Sequence, residues 1–164
     1  RTARIAELAH DADISCEGEI GFVGYSDGEQ SNGTNPSEAN MFAKDTKVDA
    51  MAISVGNVHL QKHKGSNLDL ERIRQIEQVT SIPLVIHGGS GVPVKQRSFL
   101  ARNSKICKFN IGTELRMTFG DTLRKSIVSH PDQFDRVEIL KKTHEPLVQA
   151  TRKVLNAFKP ESKK

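Results

Sequence analysis

With 164 residues, 36 % hydrophobic and 27 % charged, the chain can bury the core of one domain, and no apolar run approaches the ~20 residues of a membrane span. No signal-peptide pattern opens it, so it reads as soluble and cytoplasmic. The net charge of +4 is scattered over helical faces, as at Arg72, Arg74, Arg97 and Arg102, with one Tyr, no Trp and seven Phe mostly at helical core positions; nucleic-acid binding wants a basic stripe with stacking aromatics, so this field better suits a small anionic substrate.

In chain order, residues 1 to about 12 carry Ile5, Leu8, Ala9 and Ala12 on one helical face. Asp13 to Ile20 reads as a strand, and 21–33 as a polar loop long enough to be functional. Asn35-Pro36-Ser37-Glu38 has the form of a helix start, with Asn35 as N-cap and Pro36 in the first turn. Asp49 to Val58 is a nearly unbroken apolar run, the pattern of a strand covered on both faces in a parallel sheet.

Asp69 caps a helix bearing Leu70, Ile73 and Ile76. A strand at Leu84–His87, a short helix around Lys95–Arg102 and a strand at Ile106–Ile111 follow. Thr113 is placed to cap a helix in which Leu115, Phe119, Leu123 and Ile127 recur every fourth residue, and a last helix spans about Arg136–Phe158 across Pro146. Cys16 and Cys107 lie in strand-like runs, form no Cys-x-x-Cys unit, and read as small buried hydrophobes.

Such strand–helix repeats predict an α/β fold with a parallel sheet. Chemistry at successive strand ends favours a (β/α)₈ barrel, but a closed barrel needs eight strands in about 250 residues. Four strands therefore predict a single partial domain over 1–164, the second half of a barrel, with a flexible tail at 159–164.

Two histidines, His59 and His87, end neighbouring strands and would face one bowl. Imidazole is a favoured zinc ligand, and a catalytic zinc takes three protein ligands, so these two are one short. Glu17 and Glu19 alternate onto the same side of their strand. A carboxylate there serves as metal ligand or acid–base group, or forms an ion pair with a barrel lysine such as Lys108. Gly88-Gly89-Ser90 and Asn110-Ile111-Gly112-Thr113 are anion-binding candidates, because glycine lets a phosphate approach backbone N–H groups and the next helix offers its N-terminus. His10, His63, His130 and His144 carry no such context.

Gly56-Asn57-Val58-His59, Leu84–Pro93 (LVIHGGSGVP), Lys108–Arg116 (KFNIGTELR) and Glu17–Gly21 upstream closely resemble the class II, zinc-dependent ketose-bisphosphate aldolases, which include fructose- and tagatose-bisphosphate aldolases. The resemblance implies the C-terminal half, about strands five to eight, of a TIM barrel that is dimeric or tetrameric when full length. It implies reversible cleavage of a ketose 1,6-bisphosphate to dihydroxyacetone phosphate and an aldehyde, with zinc polarising the ketone and stabilising the enediolate.

By the same resemblance His59 and His87 are zinc ligands and Glu19 is a glutamate that approaches the metal. Gly88, Gly89, Ser90 and Asn110, Ile111, Gly112 and Thr113 hold the dihydroxyacetone-phosphate end, and Gly88 and Ser90 match positions of a monovalent cation in some relatives. Arg116 reaches the distal phosphate, the alternative being a helix-face ion pair. Asp27 or Glu29 supplies the loop acid for proton transfer. The family's main catalytic Asp and third His precede the first residue here, Leu60 replaces a common glycine, and Gly112 stands where many fructose-bisphosphate enzymes carry Asp. A chain that keeps phosphate and weak metal binding without catalysis is the rival reading, and a barrel lyase or isomerase of another kind is a third.

Overall fold

The computed structural model describes residues 1–25, 28, 31–60, 65 and 67–159. Asp27, Glu29, His63 and the tail from Pro160 onward lie outside the described residues. Lys159 is within them, and its carbonyl accepts a 2.6 Å hydrogen bond from Arg102 Nη2.

Alternation of apolar runs with capped amphipathic segments produces α1 (Thr2–Asp11), β1 (Glu17–Glu19), α2 (Pro36–Thr46), β2 (Ala50–Ile53), α3 (Leu70–Val79), β3 (Leu84–Ile86), α4 (Val94–Asn103), β4 (Ile106–Phe109), α5 (Thr113–Ser129) and α6 (Arg136–Phe158). The strands form one parallel sheet in the order β1-β2-β3-β4, the α/β class expected. Asn35 and Asp69 cap α2 and α3 as anticipated, accepting from Ser37 N and Arg72 N at 2.9 Å each. No helix among the described residues is long and apolar enough to cross a membrane.

The register sorts the two faces. Gly18, Met51, Leu84 and Ile106 line up, and the last three join Ile53, Ile73, Ile76, Ile86, Val92 and Leu100 in the buried core under the helices. Gly18 lets α2 approach β1 closely: a Cβ there would stand 3.0 Å from both the Phe42 ring and Val48, which would have to give by a few tenths of an ångström. Glu17 pairs with Ala50, Glu19 with Ala52, Ala52 with Val85, and Val85 with Lys108, so the opposite face carries three charged groups.

Several expectations are corrected. β2, β3 and β4 end before the predicted runs do, because their C-terminal residues leave the ladder to build the site, whereas β1 starts only at Glu17 and not at Asp13. Cys107 is exposed and Cys16 half-buried. Cys107 falls in a bulge, where the partners of Leu84 and Val85 are Ile106 and Lys108, and the irregular pleat turns it out of the core. Arg97 is no surface cation: it is 1 % exposed, on the face of α4 that also buries Leu100. The Phe residues are more scattered than predicted, with Phe134 94 % exposed between α5 and α6 and Phe109 on β4. On α5 the predicted stripe packs on α6 only in part, and Ile127 is half exposed.

Candidate active site

Beyond β2 the chain makes a turn that only a few residue types permit. Gly56 takes φ 92, in the left-handed region glycine favours. Asn57 is buried, and its side chain replaces the missing ladder: Oδ1 accepts from Val55 N at 2.7 Å, while Nδ2 donates to Ile53 O at 3.1 Å and His87 O at 2.9 Å. One side chain thus ties the end of β2 to the end of β3 and brings His59 and His87 side by side, with ring centroids 6.0 Å apart. His59 N donates to Gly24 O at 2.8 Å, which draws Tyr25 over the His59 ring at 5.2 Å.

His87 lies between two carboxylates. Its Nδ1 is 2.7 Å from Glu19 Oε2 and its Nε2 is 2.9 Å from Glu17 Oε1. Glu17 is clamped in turn, since Lys108 Nζ donates to its Oε2 at 2.7 Å. Burial pushes the Glu17 carboxyl up, but hydrogen bonds and positive charge from Lys108 and His87 outweigh it and hold the group below the usual carboxylate range. Burial, then the charge of His87, presses His59 below its ordinary value against the pull of Glu19. A neutral His59 ring keeps a lone pair for a metal.

Glu19, His59 and His87 each offer a ligand atom within 4.8 Å of the others. Ligands of a tetrahedral zinc at ~2.1 Å bonds sit roughly 3.4 Å apart, so an ion seated here parts His87 Nδ1 from Glu19 Oε2, which stand at 2.7 Å, with His59 within reach. Two imidazoles and a carboxylate are a chemically suitable zinc donor set, and the residues fit the ion.

A cavity of about 590 Å³ opens beside this cluster, lined by Tyr25, His59, Gly88, Ser90, Phe109, the loop from Asn110 to Thr113, and Arg116. The two glycine-containing loops are knitted together. Gly89 N donates to Asn110 O at 3.0 Å, and Glu114 N donates to Ser90 Oγ at 3.3 Å. Ser90 therefore supplies the cap expected of Thr113, and Gly112 is the N-cap residue. Arg116 lies across Gly112, where an added Cβ would meet its guanidinium at 2.8 Å, and Nη2 donates to Thr113 Oγ1 at 3.2 Å. Leu60 also lines the cavity and holds φ 55, a backbone conformation suited to glycine.

The fold thus brings together Glu19, His59 and His87, and sets Gly88, Ser90, Asn110, Ile111, Gly112, Thr113 and Arg116 around one cavity. Gly89 stands behind that wall, buried against Asn110. Tyr25 and Asn57 received no role from the sequence, although Asn57 sits inside the Gly56–His59 motif. A buried amide two residues before a strand-end histidine was the available signal.

An α/β sheet with histidines, a carboxylate and glycine loops gathered at the C-terminal strand ends forms a metal-competent cluster beside a cavity walled by glycine loops. A sequence model of the family described as fructose-bisphosphate aldolase class-II matches residues 1–163, and the chain belongs to that family. Among solved structures, the YdjI aldolase from Escherichia coli K12 shares the fold at TM-score 0.71 and 24 % identity, over 96 % of this chain and 53 % of that one. The fructose-bisphosphate aldolase from Campylobacter jejuni matches at TM-score 0.70 and 20 % identity, over 95 % and 53 %. The chain thus spans about half the length of these aldolases.

Proposed function

We propose that this chain carries one half of a zinc-dependent class II aldolase site, which reversibly cleaves a ketose 1,6-bisphosphate to dihydroxyacetone phosphate and an aldehyde. One observation carries the reading: the three potential ligand atoms of Glu19, His59 and His87 converge at the rim of a cavity walled by two glycine loops. When bound, zinc supplies Lewis acidity at the substrate ketone.

The residues of this chain bind and orient. His59 and His87 hold the ion with Glu19. Gly88, Ser90 and the loop from Asn110 to Thr113 receive the phosphate of the three-carbon end, with Gly89 shaping the turn behind them. The amides of Gly89 and Glu114 are already engaged, so the phosphate uses the remaining groups of these loops. Arg116, exposed at the cavity edge, reaches the second phosphate. A monovalent cation at Gly88 and Ser90, and proton transfer by Asp27 or Glu29, belong to the same proposal. The complete reaction requires the rest of a (β/α)₈ barrel, of which we take these strands as five to eight, in a dimer or tetramer.

The test is an assay of dihydroxyacetone phosphate release by this chain alone and after mixing with the N-terminal half of an aldolase barrel. Activity in the mixture, lost in His59→Ala and His87→Ala, is the expected result. Zinc titration of this chain is the companion measurement, and equal affinity in both alanine variants removes the two histidines from the metal site. Zinc binding without turnover in any mixture supports the non-catalytic reading instead.

A further inference from the structure

His87 has two ring nitrogens, and each faces a different carboxylate of the same strand. A histidine that binds a metal through one nitrogen has its orientation set by what the other nitrogen touches. The ligand-competent group contains Glu19, His59 and His87 without Glu17, and the ring nitrogen of His87 that meets Glu19 is Nδ1, at 2.7 Å, which makes it the nitrogen available to a shared ion. Glu17 has both oxygens engaged, Oε1 by His87 Nε2 at 2.9 Å and Oε2 by Lys108 Nζ at 2.7 Å.

Resting on the proposed zinc site, we infer that Glu17, clamped by Lys108, is a positioning residue that accepts the Nε2–H of His87 and so turns Nδ1 toward Glu19 and His59. The geometry has an economy that follows from β1 alone. Residues two apart on a strand share a face, so one three-residue strand delivers a carboxylate to each side of one ring. Lys108 comes from β4, at the far side of the sheet, and crosses the face opposite the helices to reach Glu17. The pair holds β1 and β4 together across that face. It also fixes the Glu17 carboxylate, since a carboxylate with one oxygen on an ammonium has little freedom to swing toward the metal.

Nitrogen-15 NMR of the zinc-loaded chain and zinc affinity by chelator competition test this together. The expected spectrum shows His87 protonated at Nε2 and metal-shifted at Nδ1. Glu17→Leu is expected to weaken zinc binding about 10- to 100-fold, the loss typical when an outer partner of a metal histidine is removed. Glu17→Gln keeps an oxygen for the ring N–H and is expected to recover part of that loss while retaining the Nε2–H form. Lys108→Met is expected to weaken binding less than Glu17→Leu. Should Glu17→Leu fail to fold by circular dichroism, the Gln and Met variants still report tautomer and affinity.

A zinc-loaded His87 bound through Nε2 with its proton on Nδ1 overturns the inference alone, as does affinity within about twofold of the parent in both Glu17 variants. Failure of the unsubstituted chain to bind zinc at all overturns the metal site and this inference with it.

Discussion

Gly88 crosses directly over the carbonyl of Val58. A Cβ at position 88 would overlap that oxygen and stand 2.7 Å from its carbon, and the residue holds φ 66. The obstacle is backbone, which cannot swing aside like the end of a side chain. Glycine is therefore demanded here by the crossing of two strand ends, whatever the loop binds. Gly88→Ala is expected to cost of order 1–3 kcal/mol from the left-handed backbone alone, and more from the overlap. Urea unfolding of the variant checks this, with a fall in zinc affinity accompanying it because His87 is the preceding residue.

Asn57 is expected to be the most sensitive residue near the site that touches no ligand. Asn57→Ala strands Val55 N, Ile53 O and His87 O in the interior. At about 1–3 kcal/mol for each buried group left unpaired, a loss of about 3 kcal/mol or more follows. Asn57→Asp keeps the bond from Val55 N but sets a carboxylate against two carbonyl oxygens, so it is no rescue. Chemical denaturation of both variants gives the answer, and midpoints like the parent's would show that water replaces the amide.

These two residues show what could be read from the sequence and what could not. Element order and helix starts were legible, because caps such as Asn35 and Asp69 act on their own neighbours in the chain. Strand ends were not, because an apolar run continues in sequence after Asn57 has taken its backbone out of the ladder. The approach of Glu19, His59 and His87 was legible as three strand-end groups on one rim. Of the two β1 carboxylates, Glu17 takes the lysine ion pair and Glu19 joins the cluster with the two histidines. That division depends on the reach of Lys108 from β4, which no local pattern encodes. Arg97 was misread because a basic residue on a helix is ordinarily solvated, and only tertiary packing reveals that this one faces inward.

Acid stability is expected to depend on Lys108. The unfolded Glu17 carboxyl titrates near its ordinary 4.5, and the folded one below it. As pH falls the unfolded chain takes up the proton first, so this stabilisation is complete above 4.5 and is lost as pH drops through the folded value. Lys108→Met removes a hydrogen bond and a positive charge but leaves the burial, so the Glu17 carboxyl moves upward. Carbon-13 NMR titration of the Glu17 carboxyl in parent and variant should show that rise, and the acid unfolding midpoint should move to higher pH with it.

The buried Arg97 makes a prediction about asymmetry. Its guanidinium meets Glu114 at 3.3 and 3.5 Å, and Nε has no hydrogen-bond partner among the described residues. Both contacts are long, so the ion pair repays little of the desolvation of a side chain that is 1 % exposed. Removing the acid leaves that cation alone in the core, whereas removing the base leaves a carboxylate that is one quarter exposed and can hydrate. Glu114→Ala is therefore expected to destabilise by about 2–3 kcal/mol, below the loss for a fully buried pair because Glu114 already reaches water. Arg97→Met, wholly apolar though shorter, removes the desolvated charge at the cost of a small void and is expected to destabilise less than Glu114→Ala. Thermal unfolding of the two variants separates the outcomes. A larger loss in Arg97→Met than in Glu114→Ala would mean that the guanidinium is held by more than Glu114, and that the joint between α4 and the first turn of α5, where Ser90 also docks on Glu114 N, depends on its charge.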